Sequence, residues 1–260
     1  MKLTHLLHPL RPLTLLKIYV DGGSSGPTLR PQGKARDSGM NNPSNLRIIG
    51  GSARGRRLDS PDVFLRPMMG KVREAVYSCF TSFGLYEKDG IPTRHLDIFS
   101  GSGSVGLESL SRGADHCTFV DLSRDCCDAC ERNIRWCEFD DARVVCADAI
   151  KALKEPTSVG IPEGTTYNIV TLCPPYEEVV YGELMDAVAN SPLVTEDTVI
   201  LVEYPIELGC MPPVLDRADG GKLAGCRNRR YGRTVIAMYV VNPSGRLDVA
   251  YSRPEEFIML

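Results

Sequence analysis

The sequence predicts an α/β fold, a doubly wound and mainly parallel sheet, and three observations carry that prediction. Short apolar runs alternate with segments of helical period from residue 95 onward. The first run ends in a glycine-rich stretch, Asp97-Ile98-Phe99-Ser100-Gly101-Ser102-Gly103-Ser104-Val105-Gly106. Acids and turn formers then recur at regular intervals, Asp121, Asp148 and Cys173-Pro174-Pro175-Tyr176, each where a strand hands over to a loop. In a parallel sheet all of these ends lie along one edge, where ligands of such folds bind.

Taken in order, residues 1–45 read as a presequence and linker. His5, His8, Arg11 and Lys17 precede the first acid, Asp21, and Gly, Ser, Pro and Asn follow. Acid-poor basic starts of this kind resemble organelle transit segments, so an organelle is expected, a plastid (chloroplast) before a mitochondrion, with the cytoplasm and a plain disordered tail as alternatives. Residues 46–58, apolar, basic and rich in glycine, suggest a strand and turn in a small N-terminal appendage spanning 46–90. Arg66-Pro67 is expected to open a helix with proline in its first position, carrying the stripe Val72, Val76, Cys79, Phe80 and Phe83.

The main domain, 46–242, then reads as βα units. Strands are expected at 95–99, 117–120, 143–146, 168–172 and 199–204, and helices at 105–112, after Ser123, at 149–154 and at 181–190. A basic turn, 227–233, leads into a last strand at 234–241, forming an antiparallel hairpin. The tail, 243–260, shows no periodicity.

Composition narrows the class. With 260 residues and 43% hydrophobic content the chain can bury a core, and it has no long charge-free apolar run, so no membrane span is expected. Ten cysteines without evenly spaced pairs point to reduced thiols. The cluster Cys126, Cys127, Cys130 and Cys137 invites a zinc reading, but no second CxxC or histidine pair completes a ligand set, and no metal is expected. Cys127, Cys130, Ile134 and Cys137 instead fall at helical spacing, as small apolar side chains on a buried face. The net charge of −3 hides a basic segment: Arg47, Arg54, Arg56, Arg57, Arg66, Lys71 and Arg73 stand against Asp59, Asp62 and Glu74 within 46–74. Its density of arginine suggests RNA phosphates as the partner, against the alternative of an ordinary solvated surface.

Gly101, Gly103 and Gly106 spell G-x-G-x-x-G, which a dinucleotide site shares. Asp121 closes the second strand, where a carboxylate accepts both ribose hydroxyls of an adenosine moiety. Asp97, in the same loop as Phe99, is tolerable beside an ammonium or sulfonium but unfavourable beside a pyrophosphate. Asp148-Ala149 follows the third strand, where a carboxylate can accept from the adenine amine; capping of strand ends is the plainer role for both later acids. The set favours S-adenosylmethionine over a nicotinamide dinucleotide. At Cys173-Pro174-Pro175-Tyr176 two prolines remove two N–H donors, freeing the Pro174 carbonyl to face a pocket, and Tyr176 can stack on a flat ring.

At this motif the sequence resembles the RsmD-type family of ribosomal RNA guanine-N2 methyltransferases, which carry (D/N)-P-P-(Y/F) here. The likeness continues through Arg47-Ile48-Ile49-Gly50-Gly51, Arg54-Gly55-Arg56-Arg57-Leu58, Leu65-Arg66-Pro67 and Val72-Arg73-Glu74-Ala75, covering 46–241. The resemblance implies a seven-stranded Rossmann-like methyltransferase sheet. It also implies methyl transfer from S-adenosylmethionine to the exocyclic amine of a guanine in small-subunit ribosomal RNA, met as free RNA or an assembling ribosomal particle, by an enzyme expected to be a monomer. Arg66 and Arg73 are then expected near the methionine end of the cofactor.

One departure stands out. Cys173 occupies the position of the family's Asp or Asn, and a thiol is a weak acceptor with a pKa of about 8.5 when unperturbed. A thiolate would serve only where something nearby lowered that pKa. Two further readings stay open: Cys173 as a covalent nucleophile of a cytosine-C5 enzyme, and a non-catalytic RNA-binding assembly factor that keeps the fold.

Overall fold

A computed structural model of the chain describes residues 46–61, 67–87, 90–247 and 254–258. The expected presequence, 1–45, and Arg66 lie outside the described residues.

The helix expected from Pro67 begins later. Helix α1 spans Gly70–Ser82, because Met68 is buried at 4% exposure and Met69 at the cap is extended, with ψ 141°; drawing Met68 into the core holds the chain out of helical geometry for three residues after Arg66. The alternating part follows as β1 Arg94–Ile98, α2 Ser104–Ser111, β2 His116–Asp121, α3 Arg124–Cys137, β3 Ala142–Cys146, α4 Ala149–Lys154, β4 Tyr167–Leu172, α5 Tyr181–Ala189 and β5 Val194–Pro205. A short β6, Val214–Asp216, a long β7, Lys222–Tyr231, and β8, Thr234–Val241, complete the sheet.

The sheet has eight strands in the order β3-β2-β1-β4-β5-β8-β7-β6, one more than the seven expected. The extra strand is β6, three residues too short for a periodic signal, paired on β7 from Val214↔Ala224 to Asp216↔Lys222. Strands β3 to β5 are parallel, and β8 enters antiparallel to β5. The expected basic turn is smaller than 227–233: Arg227, Arg229 and Arg230 belong to β7, and the reversal is made at Gly232 and Arg233.

Period-two alternation sorts each strand between two helical layers. Leu96, Ile98, Val170, Leu172, Ile200 and Val202 pack with Ala152 and Leu153 of α4 and Leu184 and Val188 of α5. On the other face Ile169, Val199 and Leu201 meet Val72, Val76 and Phe80 of α1, while Cys117 and Phe119 meet Leu107 and Leu110 of α2 and Cys130 of α3. Cys130 and Cys137 of α3 thus line a helix–strand seam; Ser123 caps that helix, accepting from Cys126 N at 3.4 Å. Part of the tail belongs to the core: Phe257, in a turn at Pro254–Phe257, is 3% exposed, and Glu256 Oε2 accepts from Asn228 N at 2.9 Å.

One buried acid is central to fastening the appendage. Glu108 of α2, 0% exposed, accepts from Ile49 N and Gly50 N, both at 2.8 Å, and from Arg112 Nε at 2.9 Å. Arg73 Nε lies 3.5 Å from its other oxygen, and Arg73 Nη2 donates to Arg47 O at 2.6 Å. Removing one partner of a buried ion pair leaves the other charge uncompensated, a loss of about 3–5 kcal/mol. Glu108→Ala is therefore expected to lower unfolding free energy by about that much in urea titration, with residues 46–58 losing hydrogen-exchange protection before the sheet does. Wild-type stability in this variant would contradict the assignment.

Candidate active site

The ends of β1, β2, β3 and β4 form one cleft edge, and backbone bonds draw them together. Ser100 N donates to Val120 O at 3.1 Å, and Cys173 N reaches Ile98 O at 3.4 Å, so the double-proline corner lies beside the glycine loop. Phe99 has φ 61°, a left-handed conformation that is rare for a bulky residue and marks a site held by its surroundings. Gly101 and Gly103 are also left-handed, at φ 54° and 81°. Gly106 serves packing: a Cβ there would sit 2.3 Å from the Phe119 ring, so its absence lets α2 close on β2.

Two carboxylates set the loop's shape. Asp97, 1% exposed, accepts from Gly106 N at 2.9 Å and from Thr171 Oγ1 at 2.7 Å. Thr171 in turn is bonded to His95 Nε2 at 2.9 Å. The chain runs His95 N–H to threonine hydroxyl to carboxylate, and burial, which pushes the His95 pKa down to about 3, keeps the ring neutral. Asp97 therefore lies beneath the loop and braces it. The expectation of a carboxylate presented to the cofactor is corrected here, because alternation along β1 turns this side chain into the packed layer. Asp121, half-buried at the end of β2, accepts from Gly101 N at 2.8 Å and from Ser123 N at 2.9 Å.

Asp148 is exposed and caps α4, accepting from Lys151 N at 2.8 Å, with Ala149 buried behind it. The capping role and a place on the cleft edge coexist, since a carboxylate has about four acceptor positions. At the fourth strand Pro174 is buried, Pro175 exposed and Tyr176 half-buried. The Tyr176 hydroxyl donates to Glu203 Oε1 at 2.7 Å and lies 2.8 Å from Thr234 Oγ1, which anchors the ring to the ends of β5 and β8.

The Cys173 thiol is pushed well above its usual pKa by burial and then by the negative charges of Glu203 and Asp97. It is a neutral thiol. Among the described residues each of these causes disfavours a thiolate, which argues against the thiolate acceptor and the ready nucleophile considered from sequence.

The basic segment divides. Arg47, Arg54 and Arg57 are exposed, and Arg47 and Arg54 line an open groove of about 480 Å³ with Lys71 and Glu74. Arg56 is drawn to the end of α3, donating to Trp136 O and lying 3.3 Å from Glu138. Arg73, expected at the RNA surface, is 1% exposed and held by Glu108. It falls on the apolar side of α1 next to Val72, so the local charge run misplaced it. Sequence reasoning missed Glu203, Thr171 and His95. Glu203 had a visible signal, a lone acid closing the apolar run Val199-Ile200-Leu201-Val202.

The residues suit S-adenosylmethionine. Ser100 Oγ is buried at the loop with no partner among the described residues. The loop and the ends of β2 and β3 offer acceptors, Asp121 and Asp148, and contain no lysine or arginine to pair with a pyrophosphate.

Comparison with known proteins agrees. The family described as Conserved hypothetical protein 95 matches residues 46–240. YlbH of Bacillus subtilis, provisionally named an rRNA methyltransferase, is 32% identical over 196 residues, 75% of this chain and 98% of that one. Ribosomal RNA small subunit methyltransferase D of Escherichia coli K12 is 32% identical over 165 residues, covering 63% and 77%. Among solved structures, YhhF of Escherichia coli, provisionally described as a methyltransferase, superposes with a TM-score of 0.60 at 27% identity, covering 76% of this chain and 98% of that one.

Burial lifts the Asp97 pKa from 3.8 to about 6 against the lowering bonds of Thr171 and Gly106. The fold therefore holds this proton more tightly than the unfolded chain does. Its contribution to stability is complete below the unfolded value and is lost as pH rises through about 6. From pH 4 to 7 the wild type is expected to lose on the order of 3 kcal/mol relative to Asp97→Asn in denaturant titrations. A pH-independent difference would contradict the buried-carboxylate account.

The chain belongs to the Conserved hypothetical protein 95 family and is a relative of the small-subunit ribosomal RNA methyltransferases D.

Proposed function

We propose that the protein transfers a methyl group from S-adenosylmethionine to the exocyclic N2 amine of a guanine in small-subunit ribosomal RNA. The observation that carries this reading is the junction of the Asp121-clamped glycine loop with the double-proline corner, joined by the bond from Cys173 N to Ile98 O. When bound, S-adenosylmethionine supplies an electrophilic methyl and a neutral thioether leaving group. The protein's own task is position. Asp121 receives the ribose hydroxyls and Asp148-Ala149 the adenine edge, while Ser100 Oγ and the Phe99–Gly103 backbone hold the remainder.

A guanine amine is a weak nucleophile because its lone pair is delocalised into the ring. Acceptors at the Pro174 carbonyl and at Cys173 hold the amine on line, and Tyr176, fixed by its hydroxyl, offers a ring face to the base. Arg47, Arg54 and Arg57 then serve the RNA phosphates, with Arg56 beside them. As part of the same proposal the RNA is met within an assembling ribosomal particle, and residues 1–45 direct the chain to a plastid, which the location of a fluorescent fusion of that segment tests.

Incubation with tritiated cofactor and unmodified small-subunit ribosomal RNA is expected to yield N2-methylguanosine on nucleoside digestion. A 5-methylcytosine product, or cofactor binding with no transfer, would overturn the reading. Asp121→Ala is expected to weaken cofactor binding by calorimetry at least about tenfold, the loss of one charged hydrogen bond. Replacing Arg47, Arg54 and Arg57 together by Ala is expected to raise KM for RNA, flatten its salt dependence and leave cofactor affinity unchanged.

A further inference from the structure

β4 and β5 run parallel with Leu172 opposite Val202, so the next residues lie side by side, Cys173 just past the end of β4 and Glu203 still within β5, where it pairs with Ile236 of β8. Alternation puts both on the face of Ile169, Val199 and Leu201, and Cys173 packs against that cluster. Glu203 is 6% exposed, a depth at which acids are rare unless paired. The Tyr176 hydroxyl is one of its partners at 2.7 Å. The register sets the thiol beside this carboxylate, close enough for its negative charge to push the thiol's pKa up.

We propose that Glu203 supplies the carboxylate that the reactive corner otherwise lacks, acting through Cys173. The thiol donates its hydrogen to Glu203 and offers a more electron-rich sulfur to the guanine amine. Glu203 is thus a positioning residue and proton acceptor, and Cys173 the group that touches the substrate. This rests on the guanine-N2 reading above. In the step, the N2–carbon bond forms as the donor's sulfur–carbon bond breaks, and that electron pair stays with the departing thioether. One N2 proton passes to the Cys173 sulfur while the thiol's own proton passes to Glu203, from which solvent removes it. No oxidant or further reactant enters.

The test uses the full chain, unmodified small-subunit ribosomal RNA and tritiated S-adenosylmethionine in single-turnover assays, with cofactor affinity by calorimetry as the check on folding. Glu203→Gln is expected to lower the transfer rate by about a hundredfold or more, in the range of lost proton transfer, at unchanged cofactor Kd, and to remove the acidic limb of the rate–pH profile. Tyr176→Phe, which keeps the carboxylate, is expected to lose less and to keep that limb. The double variant Cys173→Asp/Glu203→Gln is expected to regain most of the rate, since an acceptor then stands at the amine itself. Adding Cys173→Ala to Glu203→Gln is expected to cost little more than either change alone. Wild-type turnover in Glu203→Gln, equal losses in Glu203→Gln and Tyr176→Phe, or no rescue by Cys173→Asp would overturn the relay and leave the guanine-N2 reading standing. A wild-type protein that binds cofactor and transfers no methyl would overturn both.

Discussion

The cleft depends on one carboxylate that solvent does not reach. Asp97 joins β1 to the start of α2 through Gly106 and to β4 through Thr171, so three elements meet on two oxygens. Burying an acid is unfavourable unless its acceptor positions are filled, and the raised pKa of Asp97 records the part that remains uncompensated. The return is a glycine loop whose left-handed residues, Phe99 included, are held before any ligand arrives. Asp121 clamps the same loop from the neighbouring strand. A loop fixed in this way loses little freedom when a nucleoside settles on it, which is the advantage of preorganisation.

A second buried acid does similar work farther out. Glu108 fastens Ile49 and Gly50 of the appendage to α2 and holds Arg73 in place. The exposed arginines, Arg47, Arg54 and Arg57, therefore stand on a turn of fixed position instead of a loose arm. The glycine loop and the appendage are thus held by one short helix: Gly106 lies in its first turn, while Glu108 and Ser111 anchor the appendage along its remainder.

The legibility of this arrangement in the sequence followed the range of the interactions. Strand ends and glycine spacing are local, and the helix at 149–154 and the cap at Ser123 appear where the pattern placed them. The departures come from contacts made across the fold. Met68 is pulled into the core and delays α1; β6 exists only because β7 offers it an edge. Arg73 reads as one more surface charge until Glu108, thirty-five positions on, is found beneath it. Asp97 shows the same limit, since a carboxylate at the head of a glycine loop can face the ligand or the packed layer, and only alternation along the folded strand decides. Cys173 looked like a lost acceptor in one dimension. The third dimension sets Glu203 beside it, from a strand thirty residues later.

The central claim is that the loop held by Asp97 and Asp121 presents a methyl donor to the double-proline corner. Its most direct test is an experimental structure with S-adenosylhomocysteine bound. The account predicts the ribose diol on the Asp121 carboxylate, the adenine beside Asp148 and Ala149, and the thioether sulfur facing Cys173 and Pro174. A nucleoside bound away from Asp121, or a sulfur turned from the Pro174 carbonyl, would contradict it.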